Sequence, residues 1–440
     1  MKKIFSNNSI LSLSGNATTA LLGFLSFALL ARALSREDFG NWVIFLTIYI
    51  FIELVRVGFL QTPVVKFSSG VDEKTKSEVY GAAWGFAIIF SVSLAVICYL
   101  IFMVIGHMIS NSGAALFFKW FGLLFLISLP FNFATWIQQA EMKFNRILYI
   151  RFINLGTFVV LNIYSFLNGA TTEFVLYSYM FASILASMVS LMAGWTSVKS
   201  LKYFSWNKLK AIFHFGKYST GTMMGANLLR SSDTFIIGAM LGPEAVAMYS
   251  VPLKLFEIVE IPLRSFVATT LPVFSRMINE NNRIQMKYFL EKVTGMCSLG
   301  VLPVVLFSFI FADPLVVLLG GEEYRASANI LRIFALLSAF MPIDRYSGVA
   351  LDVLNMPQIN FVKVLLMLLV NIGGDLLVLW VFGNLISVAA VSILTFVSGV
   401  VMGMYFLNSY MPVSFKNMML SGVNGIKELL LKVMKMKFSV

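Results

Sequence analysis

The chain has 440 residues, of which 59% are hydrophobic and only 12% charged, with a mean hydropathy of +0.85 and a net charge of +12. No water-soluble fold of this length has a core large enough for that apolar surface, so the class that remains is an all-α polytopic membrane protein. Two cysteines (Cys98, Cys297) and two histidines (His107, His214) leave no disulfide framework and no Cys/His metal site, and no cofactor is expected.

Windows of about 20 apolar residues predict twelve spans. The first half gives 9–33, 39–65, 79–106, 115–138, 147–167 and 173–197. The second gives 213–241, 245–272, 288–311, 327–351, 359–381 and 385–408. The first stretch continues through Leu21–Ala33 without a small-residue cleavage pattern, so it reads as a helix and not as a removed signal. The stretch Lys199–Lys217 is the longest inner connection and divides the chain into a six-helix lobe over 1–200 and a second over 201–408. The longest outer loop is Ala312–Ser327, with Gly320-Gly321-Glu322-Glu323. From 409 to 440 the chain alternates Lys with Met, Leu and Val, the pattern of a basic amphipathic helix on an anionic inner leaflet.

The Lys/Arg distribution tests this map. With both termini cytoplasmic, 23 of the 33 basic residues fall on inner segments, Lys363 counted among them, and five on outer ones. That asymmetry down six hairpins is the positive-inside rule, so the net charge is a topology signal and nucleic acid is not an expected partner.

The remaining five basic residues lie inside the predicted spans: Arg56, Arg230, Lys254, Arg264 and Arg345. A charge at the bilayer centre costs about 2.5–3.5 kcal/mol even on insertion scales, so it faces a polar interior and has a use. Acids accompany them at helical spacing: Glu53 with Arg56, Asp233 with Arg230, Glu257 and Glu260 with Lys254 and Arg264, Asp344 beside Arg345, and Asp375 in the eleventh span. Two readings stand: charge pairs that hold helices together, or a hydrated cationic cavity that meets a phosphate or acidic sugar. Arginine suits the second because its fork grips phosphate bidentately. Asp233, Glu260 and Asp375 are the acids suited to coupling H⁺ or Na⁺. Pro252, Pro262 and Pro272 in the eighth span and Pro342 in the tenth are positions where a helix bends.

The corner Leu34-Ser35-Arg36-Glu37-Asp38-Phe39-Gly40-Asn41-Trp42 matches Leu241-Gly242-Pro243-Glu244-Ala245-Val246-Ala247-Met248-Tyr249 in its leucine, small residues, glutamate and aromatic. Parallel repeats of this kind place the substrate site between the halves.

The segments Ala31–Gly40, Val57-Gly58-Phe59, Asp233-Thr234-Phe235-Ile236-Ile237-Gly238, Leu241-Gly242-Pro243-Glu244, Tyr249 and Leu271-Pro272-Val273-Phe274-Ser275 resemble the Wzx-type polysaccharide-unit (O-antigen) flippases. The resemblance implies two six-helix lobes around a central cationic cavity that work by alternating access and catalyse no covalent chemistry. It further implies transport of an undecaprenyl-diphosphate-linked oligosaccharide across the bacterial cytoplasmic membrane, for O-antigen, capsule or another surface polysaccharide. Membrane lipids and other polysaccharide-assembly membrane proteins are the partners expected beside that substrate. The alternatives are an ion-coupled drug or metabolite exporter of the same superfamily and a membrane polysaccharide polymerase or transferase. The first would favour acids in its cavity, and the second would need a catalytic constellation that the short outer loops lack.

Overall fold

The computed structural model describes residues 2–106, 112–169 and 171–437; His107 lies outside them. Each predicted span falls on a helix or on a bent helix pair. In chain order the elements are α1 (Lys2–Ala33), α2 (Arg36–Arg56), a π turn (Val57–Gln61), α3 (Thr62–Ser68), α4 (Glu73–Ile105), α5 (Ser112–Ile127) and α6 (Leu129–Ala140). Then come α7 (Phe144–Asn168), α8 (Thr172–Met192), a 3₁₀ turn (Val198–Tyr203), α9 (Trp206–Met240), α10 (Pro243–Asn279) and α11 (Arg283–Ile310). The chain closes with α12 (Ala312–Gly320), a second 3₁₀ turn (Glu322–Ser327), α13 (Ala328–Ser338), α14 (Met341–Val353), α15 (Pro357–Phe382), α16 (Leu385–Tyr410) and α17 (Phe415–Lys437).

Among the described residues, seven helices are long and apolar enough to cross a membrane, nine when each of two bent pairs counts as one span. The protein is therefore a multi-pass membrane protein. The other three predicted spans fall on α9 and α10, which are long but carry most of the intramembrane charge, and on α1, whose described apolar part is Thr18–Ala33.

Proline accompanies the two sharp breaks, although α10 runs as one helix from Pro243 to Asn279 through Pro252, Pro262 and Pro272. The fourth predicted span is two pieces, α5 and α6, meeting at 47° around Ser128, and the tenth is α13 and α14, with a 43° bend after residue 338. Pro130 and Pro342 lie just past these breaks and lack the N–H that would continue the helical ladder. Pro63 acts differently. It follows the π turn, which widens α2 by a residue and keeps the chain helical through the missing bond. At that turn α2 meets α9 at very close range. A methyl group on Gly58 would collide with Thr220, and one on Gly216 with the Phe59 backbone.

Two connections differ from expectation. The 199–217 stretch is no long linker, because a 3₁₀ turn and the first turns of α9 occupy it; α9 begins at Trp206, before its apolar run. The 312–327 stretch, expected as an outer loop, is α12 and a 3₁₀ turn joined at Gly321, with Glu322 pairing Arg325 at 2.6 Å and Asp313 pairing Arg332.

The chain forms two compact units, Met1–Thr234 with Leu241–Ala247, and Phe235–Met240 with Met248–Val440. In the first, buried Trp42, Phe45, Tyr49, Phe117, Phe121, Phe125 and Phe158, with half-buried Tyr179, pack ring against ring along α2, α5, α7 and α8. Burying rings of this size supplies much of what holds helices together where lipid offers no hydrophobic drive between them. The two corners that resemble each other in sequence also meet within this unit: a methyl on Gly40 would overlap the Pro243 carbonyl. Ser35 caps α2 by accepting from Asp38 N at 3.1 Å, while the second corner uses Gly242 at φ +87° and a proline at the first helical position. Asp72 caps α4, and its bonds from the Thr75 hydroxyl and amide hold its carboxyl below the usual carboxylate range.

The second unit has a core built from Leu263, Phe274, Met286, Leu290, Met341, Tyr346 and Leu407. Here α17 lies on α11 with almost nothing between them. A methyl on Gly295 would overlap the Met418 carbonyl, and one on Gly422 would collide with the Gly295 backbone. Ser414 N donates to Glu291 at 3.2 Å and Lys292 pairs with Glu428 at 2.5 Å. The tail is therefore packed on its own unit along Met418, Gly422 and Gly425, while Lys416 and Lys427 are exposed.

Candidate functional site

The five intramembrane cations divide between the units, and the structure gives them different surroundings. Arg56 is wholly enclosed in the first. Its Nη2 donates to Glu53 Oε2 at 2.6 Å and to Ser128 Oγ at 2.8 Å, and its Nη1 donates to the Phe125 carbonyl at 2.6 Å. The guanidinium also stacks 3.9 Å above the Phe125 ring, and Asn132 Nδ2 donates to Glu53 at 3.3 Å. The α5–α6 break presents that carbonyl and that hydroxyl to α2. A buried pair is tolerable only when its remaining donors and acceptors are met, and here they are. Arg56 ties α2 to the break and leaves no edge for a ligand.

Arg230 is exposed on α9, and Asp233, three residues on, is buried.

In the second unit three of the singled-out residues converge. Glu260 is buried on α10 with 8% exposure. Its Oε2 accepts from Arg264 Nη2 at 2.7 Å and its Oε1 from Arg345 Nη2 at 2.9 Å. The arginine side chains are 47% and 43% exposed, so each keeps donors facing outward. One carboxylate thus holds two guanidiniums side by side. Guanidinium donors left facing outward can pair with the oxygens of a carboxylate or phosphate. Further back on the same third of α10, Lys254 pairs with Glu257 at 2.7 Å, each about a quarter exposed.

Asp344 and Arg345 are adjacent on α14 but turn to different neighbours. Asp344 Oδ1 accepts from Lys363 Nζ at 2.8 Å, and the same ammonium donates to the Asp344 carbonyl at 3.0 Å. Lys363 is 3% exposed and lies within α15. Sequence alone leaves Lys363 out of the intramembrane set, but Pro357 starts the helix early enough that residue 363 falls two turns inside it, opposite an acid. Asp375, further along α15, is fully buried and accepts from Asn371 Nδ2 at 2.8 Å.

The sequence does not single out Ser128, Asn132, Lys363 or Asn371. For Asn371 a signal exists, since it stands four residues before Asp375 on one face. For Ser128 it is indirect, a serine two residues before a proline in an apolar run. Among the described residues, no three His, Cys, Asp or Glu side chains gather in a way that could hold a metal ion.

The chain has relatives. A protein of Haloferax volcanii named "Probable low-salt glycan biosynthesis flippase Agl15" is 22% identical over 413 residues, covering 93% of this chain and 84% of its own length. The lipid II flippase MurJ, in an inward closed conformation, superposes with a TM-score of 0.73 at 15% identity, over 97% of this chain and 93% of its own. An inward-facing multidrug resistance transporter of the MATE family and MOP superfamily has the same TM-score and identity, over 91% and 98%. The chain thus has the fold of these transporters. Residues 29–329 match the model of a family described as polysaccharide biosynthesis protein, and the chain belongs to that family.

Proposed function

We propose that this protein is a flippase that carries an undecaprenyl-diphosphate-linked oligosaccharide repeat unit from the inner to the outer leaflet of the bacterial cytoplasmic membrane, for surface polysaccharide assembly. Family membership, a full-length relative named as a glycan flippase and a fold shared with a lipid II flippase support the reading. The observation that carries it is the pair of half-exposed guanidiniums, Arg264 and Arg345, held on one buried Glu260.

The physical argument runs from the cost of the journey. A diphosphate and its sugars lose their hydration in hydrocarbon, which costs several kcal/mol for each polar group left unpaired. Two arginine forks at fixed spacing replace that hydration for the phosphates, while the polyprenyl chain stays in lipid. Lys254 extends the cationic strip along α10. Both termini are cytoplasmic in this scheme, the two halves alternate in exposing the site, and Asp233 and Asp375 are the acids through which an ion would drive the cycle. No bond is made or broken.

The same TM-score to a multidrug transporter keeps an exporter as the second reading. Cells lacking the gene separate the two. Mass spectrometry of extracted lipid-linked oligosaccharides should show a single diphosphate-linked repeat accumulating as surface polysaccharide disappears. Unchanged lipid intermediates and surface glycan would sink the flippase reading and favour the exporter.

A further inference from the structure

The first unit contains a cavity of about 380 Å³ lined by Lys66 and Phe67 of α3, Val71, Thr75 and Val79 at the start of α4, and Lys208, Ala211 and Ile212 in the first turns of α9. Its volume is within the ~300–1,000 Å³ usual for small-ligand sites. Its chemistry differs from that around Glu260. There each cation is tied to a carboxylate; here, among the described residues, neither Lys66 nor Lys208 has an acidic side chain within ion-pair distance. Lys66 is held instead by an aromatic face, its Nζ 3.9 Å above the Phe215 ring, and Phe67 packs edge-on against Phe215 at 5.8 Å. The neighbouring carboxylate, Asp72, is engaged in capping α4. The cavity is therefore lined by two lysines without a carboxylate partner, by buried Val79 and Ile212, and by Thr75.

Its depth in the membrane follows from the adjoining segment. Tyr203, Phe204 and Trp206 are exposed around the start of α9, with Phe204 and Trp206 edge to face at 5.2 Å. Aromatic rings of this kind gather at the headgroup level. Lys199, Lys202, Lys210 and Lys217 stand around them, on the side that the Lys/Arg distribution assigns to the cytoplasm. A pocket lined by two cations and by apolar side chains, at headgroup depth, matches a phosphate whose other substituent is apolar.

We propose that the Lys66–Lys208 pocket is a phosphate-binding site that takes the phosphoryl group of an anionic lipid at the inner leaflet. The site is separate from the Arg264–Glu260–Arg345 group, and its occupancy is read without any transport, so it stands or falls independently of the flippase reading.

The test uses the purified full chain. In phosphatidylcholine nanodiscs doped with phosphatidic acid, native mass spectrometry reads bound lipid. Inorganic pyrophosphate, titrated against the intrinsic tryptophan fluorescence of the same protein, is the soluble arm. Lys66→Gln with Lys208→Gln should weaken binding by roughly tenfold or more, since each removes a charge-assisted contact. Lys66→Arg with Lys208→Arg should restore it, and Lys416→Gln with Lys427→Gln, an equal charge loss on α17, should leave it unchanged. Phosphatidic acid binding without pyrophosphate binding identifies the lipid as the source, and equal binding of both identifies phosphate itself; either upholds the site. Wild-type binding in the Lys66/Lys208 glutamine variant, an equal loss in the α17 control, or no binding of either probe would overturn it.

Discussion

Arg345 Nη2 stands 2.9 Å from Glu260 Oε1, although 85 residues of chain separate them. The contact joins α14 to α10 and sets a second guanidinium beside Arg264. Arg345→Ala should therefore lower flipping of a lipid-linked oligosaccharide in proteoliposomes about tenfold, the effect of losing one charge-assisted contact of roughly 1.4 kcal/mol. Arg345→Lys should recover only part, because a point charge does not reproduce the fork. Wild-type rates in both variants would remove Arg345 from the transport site.

Arg56 calls for the opposite expectation. With no exposed edge, its loss leaves the partly buried Glu53 without its cation, at a cost up to the roughly 3–5 kcal/mol of a broken buried pair. Arg56→Ala should lower the melting temperature and the amount of protein in the membrane. The fraction that does fold should transport normally per molecule. A variant of normal stability with abolished transport would move Arg56 into the substrate path.

The Asp344–Lys363 pair ties α14 to α15 with both partners under a tenth exposed. Lys363→Met alone should destabilise by about 3–5 kcal/mol, while Asp344→Leu combined with Lys363→Met should recover most of it, since an apolar pair of similar volume often replaces a buried ion pair at no net loss. Additive losses in thermal melts would contradict this account.

Asp72 offers a pH test outside the membrane. Its carboxyl titrates below the usual value in the folded chain, so the cap stabilises at pH above about 4, the unfolded value, and that contribution fades as pH falls through the lower folded value. Asp72→Ala should lower the melting temperature at neutral pH, with the difference from wild type closing in acid. Asp72→Asn, which still accepts from Thr75 N, should melt near wild type at neutral pH.

Helical windows are legible in the sequence because lipid demands long apolar runs, and among the described residues seven of them, nine with the two bent pairs, are long and apolar enough to cross a membrane. Pro342 marks one break, but Pro252, Pro262 and Pro272 carry the same sequence signal and α10 runs through them as one helix, so a proline alone does not tell a break from a helix that continues. Pairing across helices is another matter. Glu53 with Arg56 is visible because both lie on one helix, three apart. Glu260 with Arg345 is not, because sequence spacing carries no information about which face of α14 meets α10. Lys363 shows the limit most plainly. A lysine near a helix start counts as an inner-segment charge, and only the position of Asp344 on the preceding helix shows that it is buried in a pair. The cavity at Lys66 and Lys208 was hidden likewise, since it joins residues more than a hundred positions apart.

The contact of Gly295 with Met418 and Gly422 has a mechanical consequence. Where two helices meet through side chains, rotamer changes let one slide or roll over the other. Here the backbones touch, and the seam is pinned at its ends by Ser414–Glu291 and Lys292–Glu428, so no such slack exists. Gly422→Leu should pry the two apart and raise hydrogen exchange along α17 without altering α15 or α16. In the intact protein α17 rides on α11 as a rigid outrigger, and a probe on exposed Lys427 reports every tilt of a helix that is itself embedded in lipid.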